Sequence, residues 1–585
     1  MKTKTKDIYE QPSGIASGKV KSPFRKIYQG VRIPWGQLAF ALLITMVNYF
    51  LLAMTTGTAA DIVAGKIDSF STVVTWAGLH LAAYLLSILE VTGTLACLKV
   101  VYGVQTKLWE HIIRLPVRIY DKESPARLIS RVTNDANYAA TPFTLAIAAG
   151  SLVVVFVFGL VNMSAVNTTM LLVFVIGFLL VGVYILSIMG IARKAGAMVT
   201  DRLSGFTAYL SERLASIRLI KASVSEEKEL AAGEQLIEER YRAGMYNAFA
   251  TLLSDASTYL GLLIQFFAAF FVGAIMLERG AIEDGAQIYS FYTYGMLMAQ
   301  SLVVFIQYPV SFAAMLGQVG TFTAVLDTPV EDTDTGVQMP AEMEDIVLRD
   351  VAFRYDEDTP VLRNVNVIIP KGRKTAIIGA NGTGKSTLMK MIDRLYTHDG
   401  GSICYGDTDA AGISLHSWRD RFGMVAQNAC LFSGTIRDNI CYGIDREITD
   451  EELQRVAAAA DLDKLIAGHP EGFNFNVGES GAHLSGGEQQ RVSIARAMMK
   501  NPDFLILDEA TANLDASTAA EIQENLRHLM DGRTTIMIAH SPAIVRSADN
   551  IIVMENGTVT ACGTHEELLE ESNFYRNFLS AECGA

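Results

Sequence analysis

Apolar runs long enough to cross a bilayer recur through the first half of this chain, and no other feature restricts its fold as much. They lie at about Trp35 to Thr56, Val73 to Val101, Phe143 to Ala165, Thr168 to Gly190, Thr251 to Leu277 and Ile288 to Leu316. A helix needs about 20 apolar residues to cross roughly 30 Å of hydrocarbon, and each run supplies them. In lipid a spanning segment must satisfy its own backbone hydrogen bonds, so the runs read as six transmembrane helices. The second and sixth exceed what a bilayer requires, which predicts helices that tilt or continue into the cytoplasm. Composition agrees: 50% of the residues are hydrophobic and 19% are charged, an apolar balance unusual for a soluble protein.

Basic residues give the orientation. Lys2, Lys4, Lys6, Lys19, Lys21, Arg25, Lys26 and Arg32 precede the first run, whereas the loop after it has Lys66 against Asp61 and Asp68. The N-terminus is therefore expected inside. The segment between the second and third runs carries Lys107, Arg114, Arg118, Lys122, Arg127 and Arg131, and that between the fourth and fifth carries Arg193, Lys194, Arg202, Arg213, Arg218 and Lys221. Both are expected in the cytoplasm, as helical extensions of the spans. The polar first thirty residues do not look like a cleaved signal peptide. A net charge of -14 without a strong basic stripe argues against nucleic acid as a partner. Six cysteines without C-x-x-C spacing indicate neither a zinc site nor a disulfide framework.

Beyond the spans, "DTPVEDTDTGVQMPAEMEDI" is acidic, contains proline and glycine, and reads as a linker. Short β-rich runs then alternate with helical periods, the pattern of an α/β domain with a largely parallel sheet. The expected organisation is a polar cytoplasmic segment at 1–30, a transmembrane domain at 31–326, a linker at 327–344 and an α/β domain at 345–585. The fold class is thus an all-α six-helix transmembrane domain followed by an α/β domain, and "GANGTGKST" from Gly379 makes the latter a P-loop ATPase, a nucleotide-binding domain.

The phosphate chemistry is specific. "GANGTGKST" begins at Gly379, after the strand-like "TAII", and runs into a helical period; this is G-x-x-x-x-G-K-[ST] in the context that confirms it. Gly379, Asn381, Gly382, Thr383, Gly384, Lys385, Ser386 and Thr387 form the expected phosphate cradle, Lys385 reaching the β- and γ-phosphates and Ser386 ligating Mg²⁺. In "FLILDE" a buried strand ends in two acids: Asp508 is placed on the metal and Glu509 on the attacking water. His540 after "TTIMIA" and Gln427 in "GMVAQN" follow apolar strands too, although a lone polar residue there is more often structural.

Together, Tyr355 in "VAFRYDEDTPVLRNV", the P-loop, "GMVAQNACLFSGTIRDNI", "VGESGAHLSGGEQQRVSIARAMMKNPDFLILDEATANLD" and "IMIAHSPAIVRSADNIIVMENGTV" resemble the nucleotide-binding domain of an ABC transporter. With six preceding spans, the chain resembles a half-transporter of the exporter-type (type IV) fold. The resemblance implies that Tyr355 stacks on adenine, Gln427 joins nucleotide and Mg²⁺ to the membrane helices, Asp515 belongs to the D-loop and His540 is the switch histidine. It also implies coupling helices near Ser124 to Ser130 and Ser216 to Lys221. Departures are Glu488 where glutamine is commonest, "NLD" for "ALD", "AHSPA" for "AHRLS", and Pro125 with Ala126 where glycine is frequent.

The stretch "SGAHLSGGEQQR" has no lysine of its own. In this family Ser485, Gly486 and Gly487 are presented to the nucleotide on the other subunit's P-loop, so a second half-transporter is expected; a homodimer is favoured, with a heterodimer as the alternative. The implied activity is hydrolysis of ATP, with Mg²⁺, coupled to transport across the lipid bilayer, in a bacterial plasma membrane with the N-terminus and nucleotide-binding domain cytoplasmic. Export of an amphipathic compound, lipid or peptide is favoured; uptake on the same fold, as in siderophore importers, and an ATP-regulated channel or sensor are the alternatives. Glu90, in the second span with His80 and Lys99 above and below it, faces a substrate path, packs against a neighbouring helix or stands on a cytoplasmic extension, the last two being favoured over the first.

Overall fold

The computed structural model describes residues 23–63, 70–123, 125–282, 285, 287–296, 298, 315, 323–356, 359–508 and 516–580. The chain forms two compact units: Met1–Ile113 with Glu123–Thr328, and Arg114–Lys122 with Pro329–Ala585.

The first unit is helical. Among the described residues, Trp35–Ala59, Phe70–Ile113 and Arg127–Val166 are long and apolar enough to cross a membrane. The expected fourth run opens the helix Thr168–Ala215 of 48 residues, about 72 Å long at 1.5 Å per residue, so most of it lies beyond a hydrocarbon core of roughly 30 Å. The fifth lies at the end of the helix Glu226–Phe267, which continues through a π-helical turn, Ala268–Val272, into Gly273–Glu278. Most of the sixth, with Gln300 and Gln307, lies outside the described residues. A single residue, Asn167, joins the third and fourth helices, its side chain accepting the N–H groups of Thr169 and Met170 and so satisfying two orphan donors. Met163, Met170, Phe174, Phe291, Tyr294 and Met298 bury one another beside this turn.

Glu90 breaks the second span into Phe70–Leu89 and Val91–Ile113. Its Oε1 accepts from Asn48 Nδ2 of the first span at 2.8 Å. Of the expectations for Glu90, this contact favours the interhelical one.

The second unit is α/β. A four-stranded antiparallel sheet has the order β2-β1-β4-β5, with β1 Ile346–Arg354, β2 Pro360–Ile369, β4 Gly400–Tyr405 and β5 Thr408–Asp409. A six-stranded sheet has the order β10-β9-β3-β8-β7-β6, built from β3 Lys374–Ile378, β6 Phe422–Val425, β7 Phe504–Asp508, β8 Thr534–Ile538, β9 Asn550–Glu555 and β10 Thr558–Gly563. From β9 through β6 the pairing is parallel. Continuous apolar runs such as "FLILD" suit strands covered on both faces, and alternation divides them. Ala376, Leu505, Leu507, Met537 and Ile551 enter one core, while Ile377, Phe504, Ile506, Ile536 and Ile552 enter the other.

The segment 327–344 is tied down along its length: Val337 exchanges backbone hydrogen bonds with Gly412 and Ser414, and Arg419 forks onto Glu331 at 2.8 and 3.1 Å. Of the segment Ser124 to Ser130, Ser124 lies outside the described residues and the rest falls in the helix Pro125–Thr133 of the first unit. The segment just before it, Arg114–Lys122, with its short helix Val117–Lys122, groups with the nucleotide-binding fold, where Arg118, Asp121 and Lys122 find polar partners.

Beneath the sheet, burial pushes the Asp393 carboxyl up to about 6, against the opposing pull of Arg419 and Lys500. A carboxyl with a raised folded pKa holds its proton more tightly in the folded state. Its penalty is absent below the unfolded value of 3.8, grows through the window up to about 6, and is complete above it. Asp393→Asn is therefore expected to raise the thermal unfolding midpoint at pH 7.5, by about 1–3 kcal/mol of stability, and to lose that advantage at pH 4. Equal midpoint shifts at both pH values would exclude this origin.

Candidate active site

The P-loop starts where β3 ends. Gly379, Gly382 and Gly384 take φ of 155°, 82° and 98°, which side chains other than glycine rarely tolerate. A Cβ on Gly379 would stand 2.8 Å from Thr383 Oγ1, and one on Gly384 2.9 Å from Leu362 Cδ2. Side chains at Gly379 and Gly384 would thus collide with the residues that pack around the loop. Gly384 caps the helix Lys385–Ile392 without a side-chain hydrogen bond, so the first-turn amides are presented to an anion. Lys385 is buried, and its ammonium donates to Gly379 O at 2.8 Å and Ala380 O at 3.0 Å. Asn381, Gly382 and Ser386 are exposed at the mouth, while Thr383 and Thr387 are buried.

Sheet register brings the remaining groups to the same edge. Asp508 pairs with Ile538 and Ile377 also pairs with Ile538, so the tips of β3, β8 and β7 are level. Val425 pairs with Leu507, which places the end of β6 beside them. Gln427 and His540 each follow their strand by two residues and are exposed. The P-loop, Gln427, Asp508 and His540 therefore share the C-terminal edge of a parallel sheet, where ligands bind in open α/β folds. Glu509 and Asp515 lie outside the described residues.

The donors fit the expected ligands. A glycine cradle, a buried ammonium and a helix N-terminus suit a nucleotide triphosphate, and the oxygens of Ser386, Asp508 and Gln427 suit a hard cation. Among the described residues no group of three or more His, Cys, Asp or Glu converges; Mg²⁺ ordinarily takes one or two protein ligands and fills its shell with phosphate and water.

Tyr355 is gripped from several sides. Its hydroxyl lies 3.2 Å from Thr387 Oγ1, and its ring meets Phe353 and Tyr396 edge-on at 5.0 and 5.5 Å. Arg118 Nη2 donates to the Tyr355 carbonyl at 2.8 Å, Lys122 pairs with Asp356 at 3.0 Å, and Tyr396 donates its hydroxyl to Asp121. Burial, then the Asp121 carboxylate, pushes the Tyr396 phenol up. Sequence reasoning missed Arg118, Asp121, Lys122 and Tyr396; the only signal was the i, i+3, i+4 spacing of the first three. Tyr396→Phe is expected to raise the ATP concentration for half-maximal hydrolysis by about three- to tenfold, the effect of one net hydrogen bond, with kcat changed little. Steady-state kinetics of the purified chain checks this, and an unchanged KM would rule out the support role.

The segment around Ser485 is held separately. Ser485 caps the helix Gly486–Lys500 in a reciprocal box, its N–H and hydroxyl donating to Glu488 Oε2 at 2.8 and 2.7 Å. Nothing would obstruct a Cβ on Gly486, so the backbone there is open to approach. Gln489 steadies the preceding turn through Gly481 O at 2.9 Å, and Gln490 reaches Ala426 O at 3.2 Å, beside Gln427. Neither glutamine had been expected at the site.

Family models match both halves: residues 36–303 match the ABC transporter transmembrane region and residues 362–512 match the ABC transporter model. A multidrug resistance ABC transporter ATP-binding and permease protein of Lactococcus lactis subsp. lactis (strain IL1403) is 30% identical over 484 residues, covering 83% of this chain and 82% of the relative. An ATP-dependent lipid A-core flippase of Syntrophus aciditrophicus (strain SB) is 32% identical over 496 residues, covering 82% and 79%. A solved bacterial Atm1-family ABC exporter with ATP bound shares the fold at a TM-score of 0.78 and 22% identity, over 97% of this chain and 100% of that one. The chain belongs to the ABC transporter family: it is an integral membrane half-transporter of the exporter fold, whose nucleotide-binding domain couples ATP hydrolysis to transport.

Proposed function

We propose that two copies of this chain form an exporter with two composite ATP sites and carry an amphipathic compound, lipid or peptide out of a bacterial cytoplasm. One observation supports the dimer most: Ser485 stands on a helix N-terminus with no lysine of its own, in a chain with one P-loop. Direction and cargo draw support from the relatives, one named for multidrug resistance and another for flipping lipid A-core.

In this reading Tyr355 stacks on the adenine, and the Gly379–Thr387 amides with Lys385 hold the phosphates. Ser386, Gln427 and Asp508 would hold Mg²⁺, which neutralises charge on the β- and γ-phosphates. Glu509 orients and polarises the attacking water, His540 hydrogen-bonds the γ-phosphate, and Asp515 lies across the dimer junction. Ser485, Gly486 and Gly487 close over the γ-phosphate on the opposite P-loop. ATP favours the closed pair because its γ-phosphate contacts both surfaces, and hydrolysis removes that preference. The segments at Arg114–Lys122 and Ile217–Ala222 carry the change to the membrane helices, with the N-terminus and nucleotide-binding domains in the cytoplasm.

Vectorial flux in proteoliposomes tests the proposal. ATP-dependent accumulation inside inside-out vesicles is expected; accumulation in the opposite sense would mean uptake, and dissipative flux would mean a channel. ATPase activity of the chain purified alone is expected for a homodimer, and its absence would point to a heterodimer.

A further inference from the structure

Among the described residues one Asp or Glu is buried, and it is Glu123. The chain returns to the membrane unit at this residue, immediately after the segment Arg114–Lys122 that grips Tyr355. The Glu123 side chain is 0% exposed, and its Oε2 accepts from Arg127 Nη1 at 3.1 Å. Arg131 Nη2 stands 3.9 Å from the same oxygen, too far for a hydrogen bond. Glu123 Oε1 is buried without a partner, and so is Nη1 of Arg131, whose side chain is 10% exposed.

Withdrawing a carboxylate and a guanidinium from water costs more than their attraction returns unless the remaining lone pairs and N–H groups are satisfied. Here the same pair leaves one oxygen and one nitrogen over. A two-bond fork between Glu123 and Arg131 would satisfy both together. The closure it needs is about 1 Å, to the roughly 2.8 Å of a charge-assisted bond. Arg127 and Arg131 lie on successive turns of one helix and share a face, so the carboxylate has two discrete partners within reach.

We propose that Glu123 is a positioning residue for coupling that changes partner during the ATP cycle. It holds Arg127 in the arrangement seen here and closes a fork with Arg131 in the alternative one. This rests on the ATP-driven cycle proposed above. The segment preceding Glu123 is fixed to the adenine side of the site through Arg118, Asp121 and Lys122, so a shift there reaches Glu123 through one peptide bond. Packed elements convert such small shifts into discrete rearrangements.

Hydrogen exchange on the full-length dimer, with and without ATP, Mg²⁺ and orthovanadate, tests this without a known cargo. In the natural chain, amides of Pro125–Thr133 are expected to change exchange rate by about fivefold or more, the lower end of ordinary coupling between sites, while P-loop amides gain protection. Glu123→Gln removes the charge, and Arg131→Lys keeps charge but cannot fork. Both are expected to lose the response at Pro125–Thr133 and to keep P-loop protection. Arg127→Gln removes the present partner and is expected to show the altered rate without nucleotide. An undiminished response in Glu123→Gln and Arg131→Lys overturns the proposal, as does no response in a natural chain with a protected P-loop. If those two variants fail to fold, Arg127→Gln decides, and an unchanged nucleotide-free rate overturns it. Absence of P-loop protection in the natural chain would sink the nucleotide reading itself, and the partner exchange with it.

Discussion

Glu509→Gln is expected to lower ATP turnover by about 10²- to 10⁴-fold, the contribution of a positioned general base, while ATP still binds. Glutamine keeps the shape and the hydrogen-bonding oxygen but cannot take a proton from water. The residue directly follows Asp508 in sequence, and the tip of the Asp508 strand is level with the end of β8 through its pairing with Ile538. Phosphate release from the purified full-length chain measures the effect, and equilibrium ATP binding separates it from loss of the site. Turnover within a few-fold of the natural chain would remove Glu509 from its assigned role.

Lys385→Ala is expected to weaken ATP binding by about a hundredfold, since each hydrogen bond from a charged donor contributes roughly 1.5–3 kcal/mol, and to abolish measurable hydrolysis. The ammonium also donates to the carbonyls of Gly379 and Ala380, so these carbonyls are expected to lose their charge-assisted donors as well. Thermal unfolding of the variant distinguishes a lost ligand from a lost fold. Binding as tight as in the natural chain would mean that the loop is only a turn between β3 and its helix.

The P-loop and the strand ending in Asp508 could be read from sequence because their constraints are local. Glycines at fixed spacing follow from φ values that a Cβ excludes, and uninterrupted apolar runs follow from strands covered on two faces. The helices Trp35–Ala59, Phe70–Ile113 and Arg127–Val166 were equally legible from the length of their apolar runs. Illegible were contacts that depend on residues far apart in the chain. Glu90 announced itself as a charge in a span, but its tie to Asn48 needs the packing of two helices. The segment Arg114–Lys122 had the pattern of a helical extension, and its membership of the nucleotide unit rests on Tyr355, Asp356 and Tyr396, more than two hundred positions later. The region 327–344 had the composition of a linker, and that composition does not show that Val337 and Glu331 dock against Gly412, Ser414 and Arg419.

The level strand tips bear on how this machine can vary. Lys385, Gln427, Asp508 and His540 come from four separate stretches of chain and are aligned only by the pairing of β3, β8, β7 and β6. A residue gained or lost inside any of these strands would displace its chemical group by about 3.3 Å and turn alternate side chains into the opposite core. Insertions beyond Lys385, Gln427 and His540 would leave the alignment untouched, whereas one between a strand tip and its group would not. Strand length is thus a tolerance of molecular dimensions, and the connections can lengthen or shorten only past the groups that the four tips carry.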